Sequence, residues 1–298
     1  MQHPAAEGGA NDGLRSRIFP SSLRLNPLPM KAIALISLLA LTLPLAAQDA
    51  AVGNSPATAD KASPDSSDKP EKALLPNQQA FLNLPEEKRK EFLKHITEAN
   101  RIFQQKRIFE TIDELDKAAE IFKDSPELHN LRGSCFVEMR AFDKALAEFD
   151  KAAVLSKDNP NIDFNIGEVY FCTKQWQKSV DVLEKVLKEM NEMKDFPKEQ
   201  KMRLGRLVEF KILLCKYKLG EKDEVAKLVD KYDWTDDSPY YYYAKATLAY
   251  ENKDPEKAEE WLARANRVFR DPAILAPWQD TLVEYGYIKS FYGGDQGQ

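Results

Sequence analysis

The chain has 298 residues, 43% of them hydrophobic and 31% charged, with 43 Lys and Arg against 48 Asp and Glu for a net charge of −5. That length holds one large or two small domains. The mildly acidic balance excludes the clustered positive charge that nucleic acid or an anionic membrane surface requires.

The first 80 residues read differently from the rest. Residues 1–29 are polar, carry Arg15, Arg17 and Arg24, and form an extended leader, with Met30 as an alternative start of translation. Met30 and Lys31 then open the run AIALISLLALTLPLAA, in which one positive charge precedes an apolar stretch ending in Pro44 and small residues. This is the pattern of a secretory signal peptide spanning residues 30–47, with cleavage after Ala47. A membrane anchor is the competing reading, but the run falls short of the roughly 20 apolar residues a span needs. No cysteine follows it closely, which argues against a lipid anchor. The expected mature chain is exported, periplasmic or secreted, has no stable membrane span, and keeps 39 Lys and Arg against 46 Asp and Glu, a net charge of −7.

Residues 48–79 are rich in Pro, Ser, Ala, Asp and Lys and nearly free of large apolar side chains. Such a segment cannot bury enough surface to offset the entropy of ordering, so a disordered linker is expected.

Beyond Pro85 apolar residues recur at spacings of three and four with no strand alternation, which predicts an all-α chain. Ser125-Pro126, Asn159-Pro160, Ser238-Pro239, Asp254-Pro255 and Asp271-Pro272 each set an N-cap residue before a proline, marking five helix starts. Residues 116–126, DKAAEIFKDSP, return 34 positions later as DKAAVLSKDNP at 150–160. A fixed period of that size signals stacked supersecondary units. In the unit 126–159, Gly133, Phe136, Phe142, Ala145, Phe149 and Ala152 match Gly167, Tyr170, Trp176, Ser179, Leu183 and Val186 in 160–193. Each unit is a helix pair whose small residues let the helices approach.

These positions resemble the tetratricopeptide repeat, with its pattern W-x2-L-G-x2-Y, then A-x3-F, then P. His129 and Asp163 stand at the family's Trp, and Arg132 at its Leu. Weaker copies cover 92–125, a degenerate pair with its turn at Gly220, and 239–272, so the helical repeat domain is expected over 80–272. An insertion around 195–198 precedes the degenerate pair. Residues 273–298, with a helix from Pro277 carrying Trp278, Leu282, Tyr285 and Ile288, are expected to form a C-terminal capping helix and tail. The resulting fold class is an α-solenoid of stacked antiparallel helix pairs, in an exported, bacterial-type member of the family.

Catalytic motifs are absent from the sequence. His95 and His129 lack metal-ligand spacing, no phosphate-binding glycine loop or nucleophile elbow occurs, and the carboxylates alternate with lysines as solvated pairs do. Cys135, Cys172 and Cys215 fall in first helices too far apart for a disulfide and are expected to be buried free thiols. No enzyme activity, cofactor or metal is expected.

The resemblance implies a concave groove lined by the first helix of each unit. Its expected partner-binding residues are Asn130, Phe164, Phe171, Phe210, Tyr217, Tyr240, Tyr243 and Tyr250, a face on which the family's carboxylate-gripping Lys and Arg are missing. A shift of one residue would turn some of these into core between repeats. The implied function is a non-catalytic scaffold that binds a peptide or partner subunit. A structural or assembly component of an envelope complex is the alternative, and an enzyme accessory subunit a third reading.

Overall fold

The computed structural model describes residues 74–193 and 196–288. The expected leader and signal peptide, most of the linker and the tail beyond Ile288 lie outside them. Among the described residues there are twelve helices and no strand. They are α1 (Pro76–Leu82), α2 (Glu86–Gln104), α3 (Ile108–Ile121), α4 (Pro126–Glu138), α5 (Phe142–Leu155), α6 (Pro160–Cys172) and α7 (Trp176–Glu192), then α8 (Lys198–Leu219), α9 (Lys222–Val229), α10 (Tyr240–Glu251), α11 (Pro255–Val268) and α12 (Pro272–Tyr285). No helix among them is long and apolar enough to cross a membrane.

The helices form hairpins, α2 with α3, α4 with α5, α6 with α7, α8 with α9 and α10 with α11, and successive hairpins pack on one another. Four of the five cap-and-proline pairs act as read. Ser125 accepts from Leu128 N–H, Asn159 from Asn161, Asp254 from Lys257 and Asp271 from Ala273, each supplying an acceptor to an orphan donor of the first turn. The fifth differs: Pro239 is itself the N-cap of α10, and Ser238 Oγ accepts from Tyr240 N–H. Helix starts at the near end also differ, because α1 begins at Pro76, inside the expected linker. Its Phe81 packs edge-on against Phe92, with ring centroids 5.3 Å apart, and against Phe122, which gives this segment apolar surface to bury.

Inside each hairpin the small residues do what their spacing implies. Ala145, Phe149 and Ala152, like Ser179, Leu183 and Val186, are fully buried. Ser179 Oγ donates to the Gly167 carbonyl at 3.0 Å, so a hydroxyl is satisfied at a position that otherwise takes alanine. A Cβ on Gly133 would lie 2.5 Å from the Phe149 ring, and one on Gly167 2.7 Å from Leu183. Gly133→Ala is therefore expected to destabilise the chain by about 1–3 kcal/mol through overpacking, measured by urea denaturation. An unchanged midpoint would mean that the α4–α5 approach is looser than this.

A second periodic feature sits in the turns. Lys106, Arg140, Lys174 and Lys253 all adopt left-handed backbone with φ near +60°, each just after the first helix of a hairpin, and Gly220 takes that place in the degenerate one. Each closes the turn by donating its N–H to a carbonyl three residues back. The conformation disfavours side chains with a Cβ, yet four of the five are long and basic.

The largest core cluster runs from Phe164 through α8 and α10 to Leu275, Trp278, Leu282 and Tyr285 of α12. The last helix thus belongs to the interior. It begins at Pro272, five residues before the expected start, because Asp271 caps it there, and Pro277 lies within it. Its helix contacts run chiefly to α6 and α8, two first helices, so it covers their inner face instead of only the end of the stack.

Candidate functional site

The expected partner-binding residues do gather on the side of the first helices that faces α12. Phe210 is fully buried, with its ring centroid 5.2 Å from that of Trp278, 5.9 Å from Tyr243 and 6.3 Å from Tyr240. Tyr243 also meets Trp278 at 5.4 Å, and the Tyr240 hydroxyl donates to the Leu228 carbonyl at 2.9 Å. One helical turn further along α12, Tyr285 stacks on buried Phe171 at 6.2 Å and tilts against Trp176 at 5.7 Å. Phe164 is buried in the same cluster.

The other three residues are half-buried. Tyr250 stacks on Tyr287 with centroids 4.7 Å apart and planes 15° from parallel, and the Tyr287 hydroxyl donates to Glu251. Asn130 Oδ1 accepts from Asn165 Nδ2 at 2.8 Å, joining α4 to α6. Tyr217 lies beside the cluster without entering it. The aromatic face is therefore real, and the chain's own last helix lies on it.

Basic groups reach this face too, contrary to the reading that they are missing. Lys211, one residue past Phe210, is 1% exposed; its Nζ sits 2.9 Å from Glu168 Oε1 and 4.6 Å from the Phe171 ring centroid. Burial pushes the Glu168 carboxyl up, against the pull of Lys211. Arg140, one of the left-handed turn residues, donates to Glu284 of α12 at 2.8 Å, and Lys218 lies 4.5 Å from the Tyr285 ring. Lys106 pairs with Glu138 at 2.7 Å.

Asp280 of α12 faces Lys211 and Lys106, and also the carboxylates Glu138 and Glu284. Its Oδ2 has no hydrogen-bond partner. Burial pushes this carboxyl up to about 6 from 3.8, with the two lysines pulling the other way. A carboxyl raised in the folded state stabilises most at pH below its unfolded value, and that contribution is lost as pH rises through about 6. Asp280→Asn is therefore expected to melt a few degrees above the parent at pH 8, the gap narrowing towards pH 4. A gap that widens on acidification would contradict this placement of Asp280.

Elsewhere the titratable groups are structural. His129 Nδ1 lies 2.6 Å from Glu148 Oε2, and one repeat earlier His95 Nδ1 lies 3.0 Å from Glu114 Oε2, so the histidine at the repeat's first position ties its two helices together. Burial alone would raise Glu148, but His129 and Lys151 hold it down at about 2. Arg132, at the position where the pattern has leucine, donates to Asp116 at 2.6 Å. Cys135 and Cys215 are buried, Cys172 is half-buried, and none is in a disulfide. Burial pushes Cys135 and Cys215 up to about 12 and raises Cys172 as well, far from the thiolate chemistry of a reactive cysteine. Among the described residues no group of His, Cys, Asp or Glu is arranged to hold a metal ion. A cleft of about 660 Å³ opens between the end of α7 and the start of α8, lined by Met190, Met202 and Leu187 and holding none of the expected site residues.

Sequence reasoning missed Lys211, Arg140, Lys106, Asp280 and Glu284. One signal was available: Lys106, Arg140 and Lys174 recur at the 34-residue period, each closing a first helix.

No family model matches the chain, and no curated protein matches it. Among solved structures the chain is similar to YrrB, a TPR protein with an unusual peptide-binding site, at 18% identity and a TM-score of 0.42 over 67% of this chain and 95% of that one. It is similar at 18% identity and 0.42 to MamA MSR-1 C2, over 61% and 95% of the two chains, and at 17% and 0.36 to pilF of Pseudomonas aeruginosa, over 65% and 98%.

Proposed function

We propose that this protein is a non-catalytic interaction scaffold, and that the inner face of α4, α6, α8 and α10 is where a peptide or partner subunit docks. The observation that carries the reading is the construction of that face: aromatic pockets from Phe171, Phe210 and Tyr243, with Arg140 at the rim, accept the side chains of a helix laid across them. Helix-in-groove recognition uses apolar anchors three or four residues apart, and Trp278, Leu282 and Tyr285 have that spacing. Export, as read from residues 30–47, is part of the same proposal and would place the partner outside the cytoplasm; N-terminal sequencing of the mature chain checks it.

A photo-crosslinking side chain at Tyr217, which lies beside the aromatic cluster and is half-buried, tests the docking face. Irradiation in the native host should trap a specific protein at this position and not at exposed Phe109 on α3. Trapping at Phe109 alone would move recognition off the inner face and favour the envelope-assembly reading.

A further inference from the structure

We infer that α12 is a displaceable occupant of the inner face, and that the partner this face fits is an acidic amphipathic helix with aromatic anchors that takes its place. The inference rests on the scaffold reading and names the chemistry of its partner.

Three observations carry it. The contacts of α12 are those of a ligand in a groove: Trp278 enters the pocket of Phe210, Tyr240 and Tyr243, and Tyr285 lies on Phe171. The charges are complementary, because α12 brings Asp280 and Glu284 to a face that offers Lys211, Lys106 and Arg140. The third observation concerns how weakly α12 is committed. Pro277, in its second turn, has no N–H for the Ala273 carbonyl, so the helix is interrupted where it enters the face. Asp280 is carried into the interface with one oxygen unpartnered, and α12 seals the Lys211–Glu168 pair away from water. Buried charge of this kind disfavours the closed arrangement, so an incoming helix that pairs these groups better displaces α12.

The test uses the full chain and, as probe, a fluorescently labelled peptide of residues 272–288. While α12 occupies the face, the apparent affinity for the peptide is reduced by the fraction of time the face is open. Weakening α12 with Trp278→Ala and Leu282→Ala should therefore raise peptide affinity by about tenfold or more over the unmodified chain. Adding Arg140→Glu should abolish the gain, and a probe peptide carrying Glu284→Arg should restore it. If the double variant does not fold by circular dichroism, Glu284→Arg in the full chain loosens α12 from the rim alone and must show the same gain. A folded variant that binds the peptide no tighter than the unmodified chain overturns the inference, as does a gain indifferent to Arg140. Dimers that form in the weakened variant without peptide uptake also overturn it, in favour of exchange of α12 between copies. If Tyr217 traps a partner in cells while the peptide is ignored, the scaffold reading stands and only the role of α12 fails.

Discussion

Replacing Lys211 by alanine is expected to lower the unfolding free energy by about 3–5 kcal/mol, the range found when one member of a buried ion pair is removed. Glu168, 1% exposed beside Phe171, would be left with no opposite charge in hydrogen-bond reach, and neither α6 nor α12 has room for water to replace it. The Glu168 carboxyl would then have to bind a proton, so the loss should be greatest at alkaline pH and smaller at pH 5. Replacing both partners by apolar residues of similar size, Lys211→Met with Glu168→Leu, should recover most of the stability, since two desolvated charges disappear together. Urea denaturation at two pH values checks both expectations. A single variant as stable as the parent would mean that the pair is solvated and that α12 does not seal it.

Ala145→Glu is expected to be comparably severe. Ala145 is fully buried between the helices of the second hairpin, beside Phe149 and Val137, and no cation lies within this cluster to pair with a carboxylate. An unpaired buried charge costs several kcal/mol, and the added side-chain volume has nowhere to go. Melting by circular dichroism should fall by ten degrees or more, at about 1 kcal/mol for each 2–4 °C in a chain of this size. An unchanged melting temperature would show that the 34-residue frame, which sets this residue inward, is wrong.

That frame was legible because it rests on short-range physics. The cap-and-proline pairs mark where helices begin, and the small residue facing a large one, Gly133 against Phe149 and Gly167 against Leu183, sets how closely the two helices of a hairpin can approach. The helix content and the hairpin order follow from such local signals. The site was legible by half. Spacing brought Phe171, Phe210, Tyr240 and Tyr243 to one face, but no local signal states what lies opposite, and the Trp278 and Tyr285 that fill the pockets are separated from them by 28 residues or more. Whether a last helix covers the end of a stack or turns back over its inner face depends on the direction in which the chain leaves α11, set by three residues, 269–271.

Lys211 shows the same limit from the side of charge. In EFKILLCK a single lysine among apolar residues reads as a surface position, and only the approach of Glu168 from α6 makes burial tolerable. The start of α12 was misplaced for a more ordinary reason. Two prolines, Pro272 and Pro277, each fit the first turn of a helix, and the one preceded by aspartate won because Asp271 supplies the acceptor that Ala276 cannot.

The account's central claim is that an incoming helix and α12 exchange on one face. Tyr250 and Tyr287 stack directly, so cysteines in their places, in the full chain, can be joined to hold α12 down and separated again by reductant. Binding of the labelled 272–288 peptide, compared between the two forms, decides the matter. The account predicts that the reduced chain, which lacks the tyrosine stack, takes up the peptide and the joined chain does not. Equal binding by both forms would contradict it.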